Sequence, residues 1–354
     1  MFHLVLAACL AADPAACAPR LLPAGEAATR QDCEAGAAAI AAEWLAAHLD
    51  LIAKAGAATR CVDTAALPAL KVQEIAPGIF VHQGATEQLS PANRGRIANL
   101  SFVIGDSVAV IDAGTSRAEA EALYAAIRQR TDKPVSHLIL THMHPDHIMG
   151  AELFAEAGAS ITADARLPEA VARRAPIWLQ SIPEQIGAGE FAGTRIAAVD
   201  ETVADTGTIR LGGRDLRLSA APRAHSGNDL TVFDVQTGTL FAGDLIFQGL
   251  TPSLDGSVNA WLDWLARPPE PAPARIVPGH GPVGDDWATA TAPTRAYLTA
   301  LRDAARDALD RGIPLSRAVT RITAQMQPIA ANWRDFDATT ARNAAAAYAE
   351  LEWE

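Results

Sequence analysis

One stretch constrains this chain more than any other: Leu138-Ile139-Leu140-Thr141-His142-Met143-His144-Pro145-Asp146-His147-Ile148-Met149-Gly150. The apolar run Val135 to Leu140 predicts a buried strand, and the pattern from His147 onward (Ile148, Leu153, Phe154) predicts a helix. The histidines therefore fall on a strand-to-helix turn, at the carboxyl end of a strand, where open α/β sheets place their sites. His142 and His144 are two apart and project side by side from an extended segment. Asp146 and His147, at the entry to the helix, face the same point from the other side. Imidazole nitrogen with carboxylate oxygen suits a borderline divalent metal, zinc first. The chain has only 9 histidines in 354 residues. Three of them beside an aspartate within so short a span point to a metal site rather than a polar surface loop.

The spacing His142-x-His144-x-Asp146-His147 resembles the signature of the metallo-β-lactamase superfamily. That pattern continues with a histidine after a strand, an aspartate after a glycine, and a last histidine in a Gly-His turn. The chain offers His225 in Ala224-His225-Ser226-Gly227-Asn228, Asp244 in Ala242-Gly243-Asp244, and His280 in Pro278-Gly279-His280-Gly281. Each would pass for an ordinary loop residue alone; in order they complete the pattern. The resemblance implies an α/β metallo-β-lactamase fold, a four-layer αβ/βα sandwich. It implies one metal on His142, His144 and His225, a second on Asp146, His147 and His280, and Asp244 bridging them. The cofactor expected is two zinc ions, with iron or manganese as substitutes. Asp146 is the residue expected to orient the attacking water and take up its proton. Asp112, in Asp112-Ala113-Gly114, matches an aspartate that supports the site from behind; on the residues alone it reads equally well as a turn aspartate. Aspartate rather than cysteine at 244 resembles the thioesterase and broad hydrolase branches.

A narrower likeness is to a bacterial branch of zinc hydrolases linked to quinoprotein dehydrogenases and sulfur oxidation. It rests on His142 to Gly150, the Cys-bearing front segment, and Trp333, Phe336, Asn343, Tyr348 and Glu350. Tyr348 also reads as plain helix packing. This likeness implies a periplasmic dehydrogenase partner. The function expected is hydrolysis of a small ester, thioester or lactam. The rivals are a mononuclear iron oxygenase acting on persulfides and a non-catalytic accessory protein of a dehydrogenase system. A flavodiiron reductase is disfavoured because no flavin domain is present and His144 stands where those proteins use a carboxylate.

Composition sets the outer bounds. A net charge of −12 disfavours a nucleic-acid partner, because phosphate binding needs clustered Lys and Arg. The substrate expected is a small molecule. No apolar run has the length of a membrane span. Cys9, Cys17, Cys33 and Cys61 all lie in the first 61 residues, which predicts two disulfides among three connectivities and an oxidising compartment, the periplasm in a bacterium. Four reduced cysteines in a cytoplasmic protein is the alternative. Leu6-Ala7-Ala8-Cys9 looks like a lipoprotein box, but without a preceding Lys or Arg it reads as a strand.

The expected organisation is a small N-terminal α/β domain over residues 1–66, a catalytic domain over 67–290 and a C-terminal helical extension over 291–354. Within the first, Phe2 to Leu6 suits a strand, and Arg30 to Leu49 a helix extending as far as Gly56; residues 62–70 read as a linker. Pro77-Gly78 and Gly105-Asp106 mark hairpins. Ser116 with Glu119 has the form of a capping box. His82 and His137 read as strand residues rather than ligands. Residues 85–96 read as a loop and 182–193 as a loop or broken helix, and both are expected to set specificity. Short strands follow, with Ile196 to Val199 the first and Asp244 at the end of the series.

Overall fold

In the computed structural model, which describes residues 1–56 and 59–353, the front of the chain forms its own sheet. β1 (Phe2–Leu10) pairs with β2 (Cys17–Ala27), β3 (Leu51–Ala53) and β4 (Thr59–Asp63), all antiparallel to it. α1 (Arg30–Ala47) packs Cys33, Ala37, Ala41 and Trp44 onto that sheet. Its start is set by Thr29, whose side chain accepts from the Asp32 N–H, satisfying one of the open donors of the first turn.

The helix does not continue to Gly56. It stops at Ala47, and Leu51 to Ala53 pair with Leu10 to Ala8 instead, which buries Leu51 and fills ladder positions that a helix could not reach. The return towards Cys61 passes through residues 57–58, outside the described residues. β4 then runs to Asp63, into what reads from sequence as a linker.

The two disulfides are Cys9–Cys17, across the β1–β2 hairpin, and Cys33–Cys61, from α1 to β4. The second closes a span of 28 residues. The chain-entropy argument gives such a cross-link about 3–4 kcal/mol. A Cys33→Ala/Cys61→Ala protein is therefore expected to lose about that much stability in urea titrations followed by circular dichroism. A loss below about 1 kcal/mol would contradict a stapling role.

The central fold is two sheets face to face. β5 (Gln73–Ala76), β6 (Ile79–His82), β7 (Leu100–Ile104), β8 (Val108–Ile111), β9 (Val135–Ile139), β10 (Ser160–Asp164) and β11 (Glu201–Val203) form the first, in the order β11-β10-β9-β8-β7-β6-β5. β12 (Thr206–Arg210), β13 (Asp215–Ala220), β14 (Leu230–Asp234), β15 (Thr239–Phe247) and β16 (Arg275–His280) form the second in sequence order. Between them lies a dry layer in which Val81, Val103, Ile111 and Ile139 meet Leu216, Leu218, Val232 and Phe241.

On the outer face of the first sheet lie α2 (Arg117–Arg128), α3 (Pro145–Ile148), α4 (Ala151–Glu156), α5 (Leu167–Ile186) and α6 (Ala188–Phe191). On the outer face of the second lie α7 (Val258–Leu265), α8 (Trp287–Asp310), α9 (Leu315–Met326) and α10 (Phe336–Leu351), around Trp261 and Tyr297. The expected four-layer αβ/βα sandwich, with a Cys-bearing front unit, is what the chain forms.

Two local expectations differ, and one open pair of readings is decided. Ile196 to Val199 is not a strand; it crosses the helical side of the core, where Ile196, Ala197 and Val199 pack, and pairing begins only at Glu201. Residues 182–193 form the broken helix rather than the loop: α5 continues to Ile186, Gly187 interrupts it and α6 follows. α5 runs through Pro176 and Pro183 because Leu167, Val171, Ala175, Ile182 and Ile186 keep one buried seam, whose packing outweighs the lost backbone bonds. Asp244 lies inside β15 rather than after it, since the strand continues to Phe247.

Candidate metal centre

The first sheet ends in two adjacent turns that fix each other. Asp112, just after β8, sits at φ 62°, a left-handed conformation uncommon outside glycine. There its carboxylate accepts from the Thr141 N–H and Oγ1, both at 2.8 Å, and lies 2.7 Å from His147 Nδ1. Both of its readings from sequence suit this position: it sits at the turn after β8 and bonds a ligand candidate. Holding Nδ1 sets the ring so that His147 Nε2 faces inward, as a metal-ligating histidine requires. Ser116 caps α2 as expected, accepting from the Glu119 N–H, but Glu119 reaches back to Thr115 N rather than to Ser116 N.

His144 ends the extended segment, and Pro145, at the first position of α3, suits a helix start because its absent N–H would have no partner there. Asn228 accepts from the Met143 N–H at 2.9 Å, and Leu230 N–H donates to Thr141 O at 2.7 Å. These bonds bring the turn of the second sheet, carrying His225, against the first cluster. Asp244 enters through a distortion of the β15–β16 register at Gly243, which has φ 53°. A Cβ on Gly279 would lie 1.8 Å from Asp244 Oδ1, so the Gly-His turn needs its glycine for contact reasons.

All seven sequence-predicted ligands converge. His142, His144, His225 and Asp244 form one group, and Asp146, His147 and His280 a second, each with its ligand atoms within 4.8 Å of one another. His144 Nδ1 is 3.1 Å from His142 Nε2 and 2.8 Å from His225 Nε2. Asp244 divides between the groups. Its Oδ2 is 3.6 Å from His142 Nε2 and 3.5 Å from His225 Nε2, while its Oδ1 is 3.3 Å from His147 Nε2 and 3.4 Å from His280 Nε2. Asp146 Oδ2 completes the second group at 3.5 Å from His147 and 3.2 Å from His280.

The electrostatics follow this division. Burial, reinforced by the neighbouring His147, holds His142 well below the ordinary imidazole range, and burial takes His225 down to about 3. Burial acts the same way on His280, but Asp244 and Asp146 outweigh it and raise that ring to about 10; His147 is raised likewise by Asp146, Asp244 and Asp112. Asp146 is held below its usual range because His147 and His280 outweigh the effect of burial. His142 and His225 are thus biased against a proton, whereas His147 and His280, beside two buried carboxylates, are biased towards one. A divalent cation competes for such positions against protons. The donor set fits one: His147 Nε2 and Asp244 Oδ1 are buried without hydrogen-bond partners, whereas buried polar atoms are otherwise nearly always paired. The fold with these groups implies use of a divalent metal.

Several supporting groups were not foreseen. His225 Nδ1 is 2.7 Å from Ser253 O, His280 Nδ1 is 2.9 Å from Ile97 O, and His144 Nε2 is 3.4 Å from Asp255, which also pairs with Arg174. Asn99 donates to Pro278 O and Gly281 O, bracketing His280. The carbonyl acceptors leave no trace in a sequence, since every residue has one. The C-terminal residues gain a role: Asn343 bonds Pro252 O and the Leu254 N–H, and Glu350 accepts from Ser257 Oγ and the Val258 N–H, so α10 holds the segment bearing Ser253 and Asp255. Trp333 and Phe336 pack on Tyr297, and Tyr348 donates to Ile313 O.

His82 and His137 stay outside the cluster, against Lys71 O and Ser136 Oγ. A cavity of about 740 Å³ is lined by Thr86, Glu87, Gln248, Trp333 and Arg334 and reaches Pro282, in the turn that follows His280. The 182–193 segment instead packs Ile182, Ile186 and Phe191 behind Met149.

The family model described as Metallo-beta-lactamase superfamily matches residues 94–280, which include all seven ligand candidates. Among solved structures, a metallo-beta-lactamase from Pontibacter korlensis is 21% identical with a TM-score of 0.52, covering 65% of this chain and 99% of that one. One from Hirschia baltica is 18% identical with a TM-score of 0.50, covering 65% and 98%. The inverting sec-alkylsulfatase Pisa1 from Pseudomonas sp. is 17% identical with a TM-score of 0.55, covering 79% of this chain but 50% of its own. At these identities the structures share the fold.

Proposed function

Because the chain belongs to the metallo-beta-lactamase superfamily, we propose that it is a dinuclear zinc hydrolase of a small ester, thioester or lactam. One observation carries the reading: Asp244 presents one oxygen to each of two ligand groups. A mononuclear centre needs no such division. When bound, a pair of divalent ions lowers the pKa of water towards about 7 and polarises the scissile carbonyl.

The chain's own residues do the rest. Asp146 orients the attacking water and accepts its proton. Asp112, Ile97 O and Ser253 O hold His147, His280 and His225 by their outer nitrogens, so that each ring keeps one tautomer and one aim. The cleft of Glu87, Gln248 and Arg334 receives the rest of the substrate. Two disulfides fit an oxidising compartment, which in a bacterium is the periplasm. No helix among the described residues is long and apolar enough to cross a membrane. The narrower quinoprotein-relay likeness and its dehydrogenase partner draw no support from the matched structures.

Metal analysis by plasma mass spectrometry tests this. Protein purified without chelator is expected to carry about two zinc ions, and His142→Ala about one or fewer. A single iron would send the reading to the persulfide oxygenase. No metal in either protein would leave only the accessory role.

A further inference from the structure

We propose a second ligand site, remote from the metal centre in its lining and built for a small amphiphilic anion: a carboxylate or sulfate head on a short apolar chain. A cavity of about 440 Å³ opens between the front sheet and α2, within the usual range of small-molecule sites of about 300–1,000 Å³. Its apolar lining includes Val5, Leu21, Leu67 and Ala122, all buried in the protein yet facing the void. The cavity wall also includes Arg20, Arg60, Arg94 and Arg96, with Arg60 opposite Val5 in the β1–β4 ladder.

Four guanidinium groups in one cavity are unexpected on a chain of net charge −12. Glu121 pairs with Arg20 at 3.3 Å and Glu190 with Arg96 at 3.5 Å. Arg60 and Arg94 have no carboxylate partner among the described residues, so the lining retains two uncompensated positive charges. Arg20 is 2% exposed, and its Nε has no hydrogen-bond partner. Such a buried donor is normally satisfied. Arg94 is held at φ 55°, beside Gly95 at φ 80°, by Asn93 and by the Thr115 hydroxyl, which donates to Gly95 O at 2.6 Å. Guanidinium forks match the paired oxygens of carboxylate and sulfate, and the apolar lining accounts for a tail. The same turn ends at Ile97, the acceptor for His280 Nδ1, so an occupant here sits one short segment from the metal centre.

The test is calorimetric titration of the full chain with octanoate and octyl sulfate below their micelle concentrations, beside octanol and inorganic sulfate. Each octyl anion is expected to bind once per chain, at least tenfold more tightly than octanol or sulfate. Arg60→Gln/Arg94→Gln, at two exposed positions, is expected to weaken both anions at least tenfold. Ala122→Leu, which takes up space in the apolar lining, should do the same, while His142→Ala should leave binding unchanged. Absence of saturable binding, binding undiminished in the arginine variant, or loss in His142→Ala would each overturn the proposal, the last by placing the anion at the metals. Co-sedimentation with phosphatidylglycerol vesicles that depends on Arg60 and Arg94, without binding of the free octyl anions, would overturn it in favour of a membrane surface.

Discussion

Asp146→Asn is expected to lower kcat/KM by about 10²–10⁴ on whichever ester, thioester or lactam the protein turns over. The substitution keeps the shape of the side chain and the start of α3, and removes a charge and a proton acceptor. Asp146 Oδ2 lies 3.2 Å from His280 Nε2 and 3.5 Å from His147 Nε2, so the carboxylate sits among the ligand atoms of the second group. An amide there can still accept through its oxygen but cannot take up a proton from water. The stated loss corresponds to about 3–5 kcal/mol of transition-state stabilisation. Steady-state kinetics with parallel metal analysis separates the two contributions of this residue. If the second ion is retained and kcat/KM still falls, proton transfer is the part lost. A decrease below about threefold with metal content intact would remove Asp146 from the chemistry.

Arg214→Ala is expected to destabilise the fold by about 3–5 kcal/mol although it touches no ligand. Arg214 is buried in the β12–β13 turn. It donates to both oxygens of Asp234, at 2.7 and 2.9 Å, and through its remaining nitrogen to Pro77 O and Ile104 O. One side chain thus ties the second sheet to two turns of the first. Truncation leaves Asp234 buried with only Thr237 to bond it, and an uncompensated buried charge is the costly outcome.

The pH dependence has a definite sign. Burial alone would raise the Asp234 carboxyl, but Arg214 and Thr237 outweigh it and hold it below its ordinary value. A depressed folded value stabilises above the unfolded pKa of about 3.9 and is lost as pH falls through the folded one. The gap between wild type and Arg214→Ala should therefore be full at neutral pH and narrow below about pH 4. Urea titrations at both pH values check this. A gap under about 1 kcal/mol, or one equal at the two pH values, would show that the clasp does not hold the sheets.

The elements legible in the sequence were those set by near neighbours. Pro77-Gly78 and Gly105-Asp106 turned where their backbone preferences require, and the β9 run stood out because it is buried on both faces. β2 was not foreseen, since its mixture of Ala, Pro, Arg and Glu has no alternation to read. The sequence leaves loop and broken helix equally open over 182–193, and only the packing of Ile182 and Ile186 shows that α5 continues there. Ile196 to Val199 looked like a strand because apolar content alone does not say whether a partner strand is adjacent.

The site divides in the same way. The ligand types, their order along the chain and the class of metal they suit were determined by the sequence, because donor chemistry belongs to the side chain itself. Tertiary structure alone decided how Asp244 splits between two groups, which carbonyls orient His225 and His280, which cysteines pair, and that α10 supports the segment behind His144. Those outcomes depend on distances between segments far apart in the chain, and on backbone oxygens that every residue carries alike. They exist only once the two sheets have packed.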